Sequence, residues 1–247
     1  MTLDRAALKS RAKEVIATSN PRVITVGLVY LLISIVLSAL GARVMSVNIS
    51  ESEAMNYLRY AADGNYEYAL KYAETMQPPA TAYAIHFLLS LVSGIVGAGF
   101  IIFLLNTVRN RQPCYGNLLD GFGFWWKIIL LNVLRGLFIG LWSMLLVVPG
   151  IIAHYRYSQA LYILIDDPTK SPLQCLRESK AMMDGHKKEL FLLDLSFIGW
   201  YLLGMIPYLG YAAEVWSVPY IAMTKALFYE ALTGSNVWSY TPDYPAH

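Results

Sequence analysis

The chain has 247 residues, 56% hydrophobic and only 15% charged, and its 19 Lys/Arg against 17 Asp/Glu leave a net charge of +2. A typical soluble domain is roughly a quarter charged. The composition therefore excludes a disordered chain, a nucleic-acid clamp and an ordinary soluble enzyme, and it points to a membrane protein.

The first 22 residues are polar and basic, with Arg5, Lys9, Arg11, Lys13 and Arg22. Leu8, Ala12, Val15 and Ile16 fall on one stripe of a predicted amphipathic helix over residues 3–18. The apolar run Val23–Ala42 follows. It is longer than a signal-peptide core and reads as a retained anchor, the first of the predicted spans.

Residues 44–79 read as an extracytoplasmic, partly helical loop rich in Glu51, Glu53, Asp63, Glu67 and Glu74. Ser50 and Glu53 have capping-box spacing. Tyr57, Tyr60, Tyr66, Tyr68 and Tyr72 suit an interfacial aromatic layer or, on a sharper reading, a ligand-collecting surface. Asn48-Ile49-Ser50 matches a glycosylation sequon of little weight.

A second span covers 80–105, and its SGIVGAG stretch offers small-xxx-small packing, as does Gly136-x-x-x-Gly140 later. Segment 106–127 carries Arg109, Arg111 and Lys127 against Asp120 alone and reads as cytoplasmic. It contains a predicted short helix at 113–121, and Trp125 and Trp126 suit an inner interface anchor. Trp238 and Tyr240 are placed to do the same after the last helix.

Ile128–Ile165 is 38 residues long, which as one straight helix would span about 57 Å, well beyond a roughly 30 Å hydrocarbon core. Pro149-Gly150 therefore reads as the turn between helices 128–148 and 150–165. Segment 166–189 has Lys170, Arg177, Lys180, Lys187 and Lys188, and reads as cytoplasmic. Ser171, Pro172 and Gly185 bound another amphipathic helix there, at 172–184. Leu190–Leu232 behaves like the previous long run, with Pro207 and Gly210 separating helices 190–206 and 211–232.

The expected fold is thus an all-α membrane protein. Its six transmembrane helices at 23–43, 80–105, 128–148, 150–165, 190–206 and 211–232 form three hairpins, each preceded by a short amphipathic cytoplasmic helix. If Pro149 and Pro207 only kink their helices, the count is four. The basic residues place both termini in the cytoplasm. The paired junctions GFGFWWKIILL and GHKKELFLLDL, and SQALY and TKALF, suggest a repeated helix-plus-hairpin unit.

Ionisable groups within apolar spans are the informative residues, because each costs roughly 2.5–3.5 kcal/mol at the bilayer centre. They are Arg135, Arg156, Asp194, Glu214 and Lys225, with His86, Asn132 and His154 as polar companions. Depth allows Asp194 to pair with Arg135 or Lys225, and Glu214 with Arg156. Asn132 and Arg135, three residues apart, share a helix face. Structural pairing with snorkelling is one reading of this set, and a polar pathway or ionic-substrate pocket is the other. No HExxH, CxxC, GxSxG, P-loop or dinucleotide fingerprint occurs, and His86, His154, His186 and His247 are scattered, so no metal or cofactor is expected. Asp166-Asp167-Pro168 reads as a helix-ending turn, and Cys114 and Cys175 as reduced thiols.

Residues 120–190 also resemble the DUF975 family of multi-pass bacterial membrane proteins. The resemblance rests on Pro149-Gly150-Ile151-Ile152, Tyr155, Tyr157, Ser179, Met183-x-Gly185-His186-Lys187 and Phe191, together with the basic helix before the first span. It implies a bundle of membrane helices in the bacterial cytoplasmic membrane, and it brings no substrate, reaction or functional residue. Arg135 departs from the apolar or small residue expected there. The leading expectation is a non-enzymatic scaffold or lipid- or partner-binding protein, drawing anionic lipids to its cytoplasmic face, with a membrane partner or homo-oligomer and no nucleic acid. A small transporter using the buried charges is the alternative, and an intramembrane enzyme the third. A polar cavity reaching Arg135, Asp194 and Lys225 would favour transport, and a basic-mouthed side groove would favour lipid binding.

Overall fold

The computed structural model describes residues 4–47, 50–75, 77–206 and 209–234. All of its regular structure is helical: α1 (Arg5–Thr18), α2 (Val23–Met45), α3 (Glu51–Ala62), α4 (Tyr66–Thr75), α5 (Ala80–Val108), α6 (Asn117–Asp120), a 3₁₀ turn (Gly121–Phe124), α7 (Trp125–Leu145), α8 (Val147–Arg156), α9 (Ala160–Asp166), α10 (Pro172–Met182), α11 (Lys187–Leu195), α12 (Ile198–Gly204) and α13 (Leu209–Leu232). The chain divides into two compact units, residues 33–93 and the remainder.

The 33–93 unit holds the facing halves of α2 and α5 with α3 and α4 between them in sequence. The Ser50 side chain accepts from Glu53 N–H while Glu53 accepts from Ser50 N–H at 2.7 Å, closing a capping box on α3. Gly64, at φ +70°, makes the left-handed step into α4. Tyr60 stacks on Tyr68 at 5.8 Å, while Tyr57, Tyr66 and Tyr68 stay exposed. Asn48, Ile49 and the Tyr72 side chain lie outside the described residues.

In the larger unit α1 packs on α13, α10 on α7 and α9, α8 on α7 and α11, and α12 on α13. The core gathers Phe103, Phe197, Phe228, Leu164 and Leu193, all essentially inaccessible. The amphipathic helices are part of this core. Leu8, Ala12, Val15 and Ile16 of α1 are buried, as are Cys175, Leu176 and Ser179 of α10. Packing against neighbouring helices removes their apolar stripes from water.

Three helices among the described residues are long and apolar enough to cross a membrane: Val23–Met45, Ala80–Val108 and the continuous stretch Asn117–Leu145. The first three of the six expected spans are therefore single long apolar helices, and two of the others are broken. Predicted span 150–165 divides into α8 and α9 at Tyr157–Gln159, and span 190–206 into α11 and α12 at Ser196–Phe197. Each break carries a serine whose hydroxyl donates to a carbonyl three residues back, Ser158 to Tyr155 O at 2.9 Å and Ser196 to Leu193 O at 2.6 Å. α13 has span length, 24 residues, but carries Glu214, Lys225 and Glu230. The predicted helix at 113–121 is reduced to α6, which runs through the 3₁₀ turn into α7. The two later units of the suggested repeat break in opposite arms of their hairpins.

The turn after α7 is at Leu146, in extended conformation (φ −163°, ψ 152°), rather than at Pro149-Gly150. Pro149 lies in the first turn of α8, where its missing N–H has no helical partner to lose. Gly150 permits close approach instead, because a Cβ there would lie 2.2 Å from Ser143 Oγ. Gly210 likewise opens α13, 2.4 Å from the Gly204 carbonyl on the same construction, and Pro207 lies outside the described residues. The tightest approach at a glycine falls in the SGIVGAG stretch, at Gly99. A Cβ on Gly99 would lie 2.1 Å from the Leu118 carbonyl, whereas the predicted contact residues Gly136 and Gly140 meet nothing within 4 Å.

Candidate functional site

The break between α8 and α9 leaves the Arg156 carbonyl and the Gln159 N–H outside the helical ladder. Ser179 of α10, fully buried, serves both: its hydroxyl donates to Arg156 O at 2.9 Å and accepts from Gln159 N–H at 3.1 Å. One hydroxyl can do this because it carries both a donor and acceptor lone pairs. The irregular backbone is thus satisfied inside the protein, the condition under which non-helical chain is tolerated at membrane depth.

Beside this break lies a cavity of about 170 Å³. α7 contributes Arg135, α8 His154 and Tyr155, the break Ser158 and Gln159, α9 Tyr162, α11 Leu190 and Asp194, and α13 Lys225. Lys225 Nζ lies 2.9 Å from Asp194 Oδ1. That buried oxygen makes no well-aligned hydrogen bond, so the contact is an ion pair held by charge rather than by direction. Gln159 is 3% exposed; its Nε2 donates to Ser158 Oγ at 3.0 Å and its Oε1 has no partner. No carboxylate among the described residues lies within ion-pair distance of Arg135. Two cations and one carboxylate give the cavity a net charge of +1 before any charge on His154.

The structure thus brings together Arg135, Asp194 and Lys225 of the residues singled out from sequence. It separates the others. Asn132 is exposed and points toward α5, where a Cβ on Gly94 would lie 3.6 Å from Asn132 Nδ2. Arg156 and Glu214 form no ion pair. Arg156 instead ends α8, with its carbonyl on Ser179 and its charge acting on Asp184 of the 166–189 segment. Glu214 is half-buried on α13. Sequence reasoning missed Gln159 and Ser158, although a Ser-Gln pair inside an apolar run was a legible signal for a break.

A second charged group, at the ends of α5, α9 and α13, was also missed. Arg109 donates from Nε to Glu230 Oε1 at 2.7 Å, and from Nη1 and Nη2 to the two oxygens of Asp166 at 2.5 and 3.0 Å. The Tyr229 hydroxyl donates to Asp166 Oδ2 at 2.6 Å. Burial works against the Arg109 charge, but the hydrogen bonds to Asp166 and Glu230 outweigh it and raise its affinity for the proton. Asp166 therefore does more than end a helix. Lys127 donates to the carbonyls of Pro168, Thr169 and Lys170 and lies 5.4 Å from the Trp126 ring, tying the start of α7 to the following loop.

No group of three or more His, Cys, Asp or Glu side chains suited to a metal occurs among the described residues. Trp238, Tyr240 and His247 lie outside them.

Residues 144–236 match the family model DUF975, described as a protein of unknown function. The match takes in every cavity residue except Arg135. No curated protein matches the chain. No solved structure matches it either. The chain is an integral, multi-pass membrane protein, as the family match and its three long apolar helices indicate.

Proposed function

We propose that this membrane protein is non-enzymatic and holds a small anion in the Arg135 cavity. The observation that carries the reading is Arg135, which has no carboxylate within ion-pair distance among the described residues and faces a polar cavity of net charge +1. Burying such a charge unpaired is costly, and a bound anion offsets that cost. At about 170 Å³ the cavity is below the roughly 300 Å³ of drug-sized sites but holds several waters' worth of space, so a small inorganic or carboxylate anion fits best. Asp194 tempers the field and favours a single negative charge.

Six crossings remain the best topology, with both termini cytoplasmic. Residues 147–166 and 187–204 extend about 30 and 27 Å if counted as helix, enough to cross a bilayer despite their breaks. Broken helices facing a polar cavity also favour a second reading, passage of the anion across the membrane.

A thermal-shift series in detergent tests the binding. Phosphate, sulfate and small carboxylates are added to the wild type and to Arg135→Met. The expected result is stabilisation of the wild type by at least one anion and none of the variant. Equal shifts in both proteins overturn the reading. Proteoliposome uptake with Asp194→Asn and Lys225→Met tests passage, which unchanged uptake in both variants rules out. Labelling of Asp63→Cys from outside, and of Asp184→Cys only after permeabilisation, tests the topology.

A further inference from the structure

Arg5, Lys9 and Lys13 recur every four residues along α1 and so share one face. None has a carboxylate within ion-pair distance among the described residues. Arg5 and Lys9 reach carbonyls at the end of α11, Leu192 O at 3.4 Å and Ser196 O at 3.1 Å. These contacts match cations to the negative end of a helix dipole. Lys13 makes no hydrogen bond and lies 5.7 Å from the Tyr220 ring. The nearby Glu14 does not balance the stripe, because it is held by Arg11 at 2.7 Å. Burial, and then the charges of Lys13 and Arg5, pull the Lys9 ammonium below its ordinary value.

Lys9, Ser10 and Lys13 form one wall of a groove of about 580 Å³, and Trp200, Trp216 and Tyr220 form the other. Trp216 remains 37% exposed. Tryptophan rings beside lysines suit the headgroup layer, where one part of the ring is apolar and the indole N–H is wet. α12, which carries Trp200, also exposes Ile198, Tyr201 and Leu202, an apolar surface for acyl chains.

We infer that this groove is a headgroup site for one anionic glycerophospholipid, with the phosphodiester between Lys9 and Lys13 and the acyl chains along the exposed face of α12. The phosphodiester supplies the missing negative charge, and Ser10 and the indole N–H groups offer it hydrogen bonds. The chains shield apolar side chains that water would not cover. A free phosphate satisfies only the first of these needs. The site is separate from the Arg135 cavity, so either can fail without the other.

Native mass spectrometry of the delipidated full-length chain tests the site, with phosphatidylglycerol, phosphatidylcholine and inorganic phosphate as probes. The wild type is expected to retain one phosphatidylglycerol and to prefer it to phosphatidylcholine. Lys13→Gln, which removes no hydrogen bond of the fold, is expected to weaken that binding roughly fivefold, and Lys9→Gln/Lys13→Gln more than that. Lys71→Gln, remote in sequence on α4, controls for overall charge and is expected to bind as the wild type does. Binding of phosphatidylglycerol by Lys13→Gln equal to that of Lys71→Gln overturns the inference. So does equal retention of phosphatidylcholine, or inorganic phosphate competing as well as the lipid does. Unchanged anion-induced thermal shifts in Lys13→Gln would show that the Arg135 cavity is untouched.

Discussion

Two arginines in this protein are treated in opposite ways. Arg109 stands where α5, α9 and α13 end, and its guanidinium is shared between Asp166 and Glu230, with Tyr229 bracing Asp166 from the other side. Arg135 stands on α7 beside a cavity and has no carboxylate within ion-pair distance among the described residues; the nearby Asp194 is paired with Lys225. The first arrangement spends its charge on holding three helices together. The second leaves charge available to something that is not part of the chain. Burial alone does not distinguish the two arginines; the presence of an internal partner does.

The largest expected effect breaks this contrast from the Arg109 side. Arg109→Leu strands Asp166 and Glu230, the latter with its side chain only 3% exposed, and is expected to cost about 3–5 kcal/mol in detergent unfolding. Adding Asp166→Asn and Glu230→Gln should restore much of the loss, since the stranded charges go with them. A loss no greater than that of Arg135→Met would show that the two arginines are alike. Next comes Ser179→Ala, which leaves the Arg156 carbonyl and Gln159 N–H unpaired and should cost about 1–3 kcal/mol for the stranded groups. Hydrogen exchange at residues 157–160 would report the loosened break.

Smaller still is Arg135→Met, expected to unfold no earlier than the wild type because no internal partner is lost. A clear destabilisation would place Arg135 in the structural class with Arg109. The smallest effect concerns the 166–189 segment. Hydrogen bonds from Lys170, and then Gln174, lower the Glu178 pKa, the Thr169 hydroxyl lowers that of Asp167, and Lys187 lowers that of Asp184. A depressed carboxylate contributes stability that is present above its unfolded value, about 3.9 for Asp and 4.3 for Glu, and is lost as pH falls through the folded value. Amide exchange in this segment should therefore quicken below about pH 4 relative to its intrinsic rate, and stay flat from pH 5 to 7. The change is small because these groups are mostly solvated. Protection that stays unchanged down to about pH 3 would show that these pairs do not hold the segment.

Local features were legible where the cause is local. Ser171 caps α10 and Pro172 opens it, because capping needs only the next three residues. The helix breaks were misplaced because proline is a visible breaker, whereas Tyr157-Ser158-Gln159 breaks its helix only with a buried hydroxyl from α10 to receive the freed backbone groups. Among the charges, Asp194 and Lys225 were matched by depth, a one-dimensional quantity that hydropathy preserves.

The sequence by itself determined that the protein lives in a membrane, which runs are apolar enough to enter it, and where several helices begin. Those properties are sums over neighbouring residues. Only the tertiary structure decided which charges are satisfied. Arg109 meets its partners across 57 and 121 residues of chain, and no local sum distinguishes it from Arg135. Pairing is a distance in space, and it is fixed only when helices remote in sequence have packed.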